Sequence, residues 1–190
     1  MLLLAAQALF SCSRQEGRIS ENPDPISVKR SSENTSVRQS HCRATEEKSP
    51  DGALPVLKQS CRLGRFSCIR RGIPDEKGRY IYHSEWFVDS AGKQFPVPAE
   101  AIFNHHKQEL LSRINEKIKL SVQEQMSEGE QVACFKGFSF QPYSFSQMEI
   151  SLTGSGIDFE LAFGFSEECL AADGLIISFS FEELKDILRI

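Results

Sequence analysis

The aromatic residues are confined to one part of this chain, and their distribution decides where a folded core can form. Every Phe, Tyr and Trp except Phe10 lies at or beyond Phe66. The interval before Phe66 is rich in Ser, Asn, Pro, Arg and Glu, and such a segment buries too little apolar surface to offset its ordering entropy. We therefore predict a disordered tether over residues 12–65 and a folded domain over residues 66–190, an ordinary length for a single domain.

The most regular stretch of the folded part runs from Ala99 to Met126 without Gly or Pro. Its apolar side chains recur every four residues, which is typical of an amphipathic helix. These side chains form an apolar stripe along one face of the helix. His106 lies on this stripe, and we expect it to be a buried, hydrogen-bonded core residue. The stretch predicts one long helix.

The other segments of the folded part alternate apolar and polar residues, as strands do. They are residues 79–88, 132–145 with an interruption at Pro142, 148–152 and 157–165, with TGSG at 153–156 as a turn. Near the end of the chain, Ser180 and Glu183 have the spacing of a capping box. The predicted fold class is α+β: an antiparallel sheet packed against one long helix, with a short C-terminal helix.

The N-terminus resembles an export signal. Residues 2–10 are apolar except for Gln7, too short a run to span a bilayer but suited to a signal peptide. Leu9-Phe10-Ser11-Cys12 resembles the lipobox of bacterial lipoproteins, which predicts a signal peptide over residues 1–11 and lipidation of Cys12. The chain would then be lipid-anchored in a bacterial cell envelope. An ordinary signal peptide or a chance hydrophobic start is the alternative.

Five further cysteines would lie in an exported chain, where disulfides form. The odd number leaves at least one unpaired, and Cys42 in the tether is the candidate. Proximity suggests the pairs Cys61–Cys68 and Cys134–Cys169. Zinc binding is the rival interpretation, but no CxxC or HxxxH spacing is present. We predict no metal and no cofactor.

Residues 99–190 resemble a known family in their apolar pattern. The segment FSQMEISLTGSGIDFELAFGFSEECLAADGLIISFSFEELKDIL is similar to the C-terminal domain of RsiV-type lysozyme-sensing anti-sigma factors and of some peptidoglycan deacetylases. Gly174, the aromatic residues of the preceding strand and the closing leucines carry the likeness, which departs in the loop from Ser166 to Asp173. The resemblance implies a non-catalytic extracytoplasmic domain that contacts its ligand through loops.

These features predict an envelope lipoprotein that binds a protein, such as a lysozyme, or a cell-wall component such as peptidoglycan. The expected contact residues are Glu167, Glu168 and Asp173 in the acidic loop. The mild net charge of −4 gives no reason to expect nucleic acid as a partner. One alternative is a structural lipoprotein without a soluble ligand.

The other alternative is an enzyme. No P-loop, dinucleotide fingerprint or G-x-S-x-G motif is present. His83 and Glu85 share one face of a strand and could form an acid–base pair acting on peptidoglycan. Trp86 with Tyr80 and Tyr82 could form a platform for stacking sugars, although core packing also explains these aromatic residues.

Overall fold

The computed structural model describes residues 40–48, 54–127 and 132–190, all within one compact unit spanning Ser36–Ile190. The expected signal peptide, the lipidation site Cys12 and the first part of the tether lie outside the described residues. In the described part, no helix is long and apolar enough to cross a membrane.

The larger of two sheets is an antiparallel meander of five strands in sequence order. Its strands are β1 (His41–Glu47), β2 (Val56–Leu63), β3 (Phe66–Pro74), β4 (Tyr80–Ser90) and β5 (Lys93–Val97). The turn between β4 and β5 contains Ala91 and Gly92, whose φ angles of 53° and 76° are both positive. That geometry is required by the type I′ turn, whose twist suits a two-residue hairpin.

β1 and β2 lie in the interval that the sequence assigned to the tether, so the predicted domain boundary at residue 66 is wrong. Every residue of β1 is exposed, and the strand is held by its backbone pairing with β2. β2 in turn buries Cys61 and Leu63. An edge strand bonded through its backbone needs no aromatic side chains, which explains why aromatic content failed to mark it.

The smaller sheet has three antiparallel strands, β6 (Glu149–Leu152), β7 (Gly156–Leu161) and β8 (Leu175–Ser180). Its apolar side chains are buried against those of α1 (Lys107–Ser127), the one long helix in the described part of the chain. The contact is visible where Lys117 Nζ lies 4.0 Å from the centre of the Phe179 ring. The architecture mixes sheet and helix as predicted, but it contains two sheets where one was expected.

The helix starts later than the apolar stripe indicates. Ala99–Ile102 form a separate turn of 3₁₀ helix, and the Asn104 side chain accepts the backbone N–H of His106 at 2.8 Å just before α1. This break turns the His106 side chain outward, so that it is 49% exposed. The prediction of a buried His106 is wrong.

Two further segments differ from their predicted structure. Residues 132–145 form no strand. The segment begins with one 3₁₀ turn, Val132–Phe135, and a second, Phe145–Gln147, begins at its last residue. Asn115 on α1 holds the intervening chain by accepting the backbone N–H of Tyr143 at 2.6 Å. At the C-terminus the Ser180–Glu183 capping box forms, but the chain after it makes turns instead of a regular helix.

The two sheets meet along β6. The indole Nε1 of Trp86 on β4 donates to the carbonyl oxygen of Ile150 at 2.8 Å, and the Ser40 hydroxyl donates to the Thr153 carbonyl. Trp86 is therefore a core residue joining the sheets, and it is not available as a sugar platform. Beside this junction the sheets separate and leave a cleft.

Candidate binding cleft between the two sheets

The cleft lies between β4 and the smaller sheet and has a volume of about 570 Å³. Half of its twelve lining residues are tyrosines or carboxylates, and three come from the segment after β7. The lining residues are Asp75, Arg79, Tyr80, Ile81, Tyr82, Gln147, Glu149, Glu160, Leu161, Ala162, Leu170 and Asp173.

Tyr80 and Tyr82 alternate along β4 and therefore project from the same face of the sheet. Their ring centres are 6.3 Å apart. Gly72 lies opposite Tyr82 on β3, and a Cβ atom there would approach the Tyr82 ring to 2.6 Å. The glycine thus makes room for this ring. The Arg70 guanidinium lies 4.1 Å from the ring centre and completes its packing.

Glu149 on β6 and Glu160 on β7 are direct partners in the smaller sheet. Both project from its polar face towards the larger sheet. Glu149 accepts the backbone N–H of Ser84, and Glu160 forms an ion pair with Arg70. Two carboxylates are thereby held side by side against β3 and β4.

Burial raises the pKa of the Glu160 carboxyl above its ordinary value. The Arg70 guanidinium opposes this by stabilising the ionised form, while Asp158 and Glu149 raise the pKa further through like-charge repulsion. The group is thus destabilised as an anion by its surroundings and depends on a single cation for compensation.

The carboxylates of the cleft are unequally compensated. Asp75 forms an ion pair with Arg79 at 2.7 Å, and hydrogen bonds from the Arg79 backbone and side chain lower its pKa. Within the described ranges, Glu149 and Asp173 have no Lys or Arg within 4.0 Å; Glu149 has only His83, whose Nδ1 is 4.0 Å away. The cleft therefore carries excess negative charge.

The acidic loop contributes one of its three predicted residues to the cleft. Asp173 lines the wall, and its Oδ1 accepts the backbone N–H of Phe165 at 2.9 Å. Glu167 instead forms an ion pair with Lys77, and Glu168 is exposed; neither lines the cleft. The structure does not bring the three predicted contact residues together.

This loop rests on an aromatic cluster formed by Phe135, Phe138, Phe163 and Phe165, with ring centres 5.0–5.8 Å apart. A disulfide between Cys134 and Cys169, a predicted pair, ties the loop to the segment after α1. The cleft wall is consequently fixed by covalent and aromatic contacts.

The other predicted disulfide is wrong. Cys61 is bonded to Cys42, and Cys68 is a buried thiol whose pKa is raised to about 11, chiefly by burial. Cys61 lies opposite Cys42 on β1 and opposite Cys68 on β3. Proximity in sequence favoured Cys68 as the partner of Cys61. Cys42 was not considered as its partner because it was assigned to the tether.

The predicted acid–base pair is also rearranged. Glu85 forms an ion pair with Arg71 on the outer face of the larger sheet. His83 instead has Glu149 as its acidic neighbour. A histidine and a carboxylate do approach one another, but the carboxylate comes from the other sheet.

Sequence reasoning missed Glu149 and Glu160, although a signal was present. A hairpin with TGSG as its turn pairs Leu152 with Ile157, and the same register places Glu149 opposite Glu160. Counting back from the turn would have found the carboxylate pair. The approach of Glu160 to Arg70 depends on the contact between the two sheets, which no local sequence pattern indicates.

Within the described ranges, no group of three or more His, Cys, Asp and Glu residues is placed to hold a metal ion. Comparisons with protein-family models, curated proteins and solved structures found no match to this chain.

Proposed function

We propose that this chain is an envelope lipoprotein whose α+β domain binds a basic protein, such as a lysozyme, in the cleft between its sheets. The observation that carries the proposal is the position of Glu149 and Asp173, two carboxylates without a Lys or Arg partner in the described part, beside Tyr80 and Tyr82. Carboxylates next to aromatic rings favour Lys and Arg side chains as ligands.

Two disulfides support the exported location, because such bonds persist in oxidising compartments outside the cytosol. The membrane anchor rests on the lipobox-like sequence before Cys12. Binding of peptidoglycan is a weaker candidate for this cleft, since its carboxylates would repel the acidic stem peptides of that polymer.

The test is a calorimetric titration of the protein with lysozyme, using two double variants that each remove two negative charges. Glu149→Gln with Asp173→Asn keeps both side-chain hydrogen-bond acceptors, so the fold is preserved while the cleft charge is lost. We expect this variant to bind about tenfold more weakly or worse.

The matched control is Glu167→Gln with Glu168→Gln, which removes two charges from the part of the acidic loop that does not line the cleft. Its affinity should stay within about threefold of the original. The opposite ranking would assign binding to the loop instead of the cleft. No binding by the unmodified protein would refute a lysozyme ligand.

An enzyme is the second candidate, favoured by the opposed Glu149 and Glu160. Paired carboxylates, one with a raised pKa, are the usual apparatus of glycoside hydrolysis. Release of soluble fragments from purified sacculi would support this activity, provided that Glu160→Gln abolishes it. Activity that survives Glu160→Gln but is lost in His83→Ala would instead indicate the histidine.

A further inference from the structure

Strand β4 is longer than the strand that pairs with its outer edge. β5 covers only Trp86–Ser90, whereas β4 begins at Tyr80. In the described part of the chain, no strand pairs with Tyr80–Glu85 on that side. Tyr80, Ile81 and Tyr82 of this uncovered half of the edge, Tyr80–Glu85, line the cleft.

The hydrogen bonds show which backbone groups point from this edge. In an antiparallel strand, successive residues direct their N–H and C=O groups to opposite neighbours. The Ser84 N–H points to Glu149 on β6, while the Asp89 N–H, on the other parity, points to the carbonyl oxygen of Arg65, the residue just before β3. Tyr80 and Tyr82 share the parity of Ser84, so their backbone groups also face the cleft.

The Glu149 carboxylate therefore occupies the position that a carbonyl group of a further strand would take. We propose that an extended segment of a basic partner adds to β4 as a strand along Tyr80–Ser84 and displaces Glu149 from the Ser84 N–H. This inference rests on the proposed function and specifies how the partner binds.

Charge complementarity identifies the segment as basic. Once released from Ser84, the Glu149 carboxylate is free to form an ion pair with a Lys or Arg side chain of the added strand. Asp173 lines the same cleft. Strand addition supplies affinity through the backbone, and the side chains facing the cleft supply selectivity.

The probe is a short peptide of alternating lysine and threonine, compared with the same peptide methylated on every backbone nitrogen. Both carry the same charge, but the methylated peptide cannot donate ladder hydrogen bonds. With the full chain, we expect the unmodified peptide to bind about tenfold more tightly. Its binding should also slow hydrogen exchange at the Tyr82 and Ser84 amides.

Ser84→Pro removes the edge donor, and a proline is tolerated there because this N–H is outside the β3–β4 ladder. Ala44→Pro is the control on the far edge. Cys42 and Cys61 form a narrow pair with Cα atoms 4.0 Å apart, so Cys42 and Ala44 point their N–H groups away from β2. We expect Ser84→Pro to reduce peptide binding about tenfold and Ala44→Pro to leave it unchanged.

Equal binding of the two peptides by the unmodified protein would overturn strand addition even if a proline variant failed to fold. If lysozyme binding depends on Glu149 and Asp173 but neither methylation nor Ser84→Pro affects the peptide, the proposed function stands and this inference falls. No binding of either peptide would overturn the inference as well.

Discussion

Arg70 and Glu160 form an ion pair that links the larger sheet to the smaller one, with side chains only 20% and 19% exposed. The pair connects the middle strand of one sheet with the middle strand of the other. Because both groups are largely removed from solvent, loss of one partner leaves the other uncompensated.

Replacing Arg70 with Gln should therefore destabilise the protein by about 2–4 kcal/mol at neutral pH. Arg71→Gln is the matched control, since its partner Glu85 lies on the exposed outer face and such pairs contribute roughly 0–1 kcal/mol. Denaturant unfolding of both variants measures the difference. Equal losses would show that the Arg70 pair contributes no more than a surface pair.

The Glu160 carboxyl should contribute to the pH dependence of stability. Its folded-state pKa is raised, so the folded protein holds a proton that the unfolded chain releases earlier. The contribution to the free energy of unfolding is consequently largest below the ordinary value of 4.5 and is lost as pH rises through the folded pKa. NMR titration of Glu160 should find a pKa above 4.5, and Arg70→Gln should raise this pKa further. A midpoint below 4.5 would contradict the expectation.

Cys68 should be the only reduced cysteine among the five that the structure describes. Because its thiol is buried and its pKa is about 11, iodoacetamide should not label it in the folded protein at neutral pH. Mass spectrometry should find the label on Cys68 once the protein is unfolded without reductant. Labelling of Cys42 under the same conditions would contradict the bond between Cys42 and Cys61.

Ser180 and Glu183 should depend on each other. Hydrogen bonds from the Ser180 backbone and hydroxyl lower the pKa of the Glu183 carboxyl, which therefore stabilises the fold at neutral pH and loses this effect as pH falls through its folded pKa. Ser180→Ala should lower stability by about 0.5–1.5 kcal/mol and return the Glu183 pKa towards 4.5. If the pKa of Glu183 in Ser180→Ala were the same as in the unmodified protein, the coupling would be refuted.

The single tryptophan should report on the contact between the sheets. Trp86 is buried, and its Nε1–H is bonded to the Ile150 carbonyl, so its fluorescence emission should be blue-shifted in the folded protein. Trp86→Phe keeps an aromatic ring but leaves that carbonyl without its donor, which should cost about 1–3 kcal/mol. Phe87→Leu on the opposite face should cost less. An equal or smaller loss for Trp86→Phe would contradict this role.

Local patterns in the sequence predicted much of the fold. The alternation from Arg79 to Val88 corresponds to β4, and the stripe from Leu110 to Val122 corresponds to the buried face of α1. Residues whose position depends on distant contacts were missed. β1, for example, is ordered by pairing with β2 and not by its own side chains. His106 was misplaced for a local reason: Asn104, two residues before it, accepts its backbone N–H, and the helix begins later than the apolar pattern indicates.

The candidate site was predictable only in parts. Tyr80, Tyr82 and Asp173 were recognised as separate candidates, but nothing local indicated that one cleft contains all three. The Cys61 partner was similarly undetermined, because the strand register places a cysteine on each side of it. Choosing between such neighbours requires the arrangement of the whole sheet.

The disulfide between Cys134 and Cys169 has a consequence for how this protein can diversify. Because the bond and the aromatic cluster hold the cleft wall in place, the exposed residues Glu167, Glu168 and Leu170 contribute little to its position. They can be exchanged without dismantling the domain. Because Leu170 lines the cleft, its position is a natural place to redirect partner choice, by evolution or by a designed library.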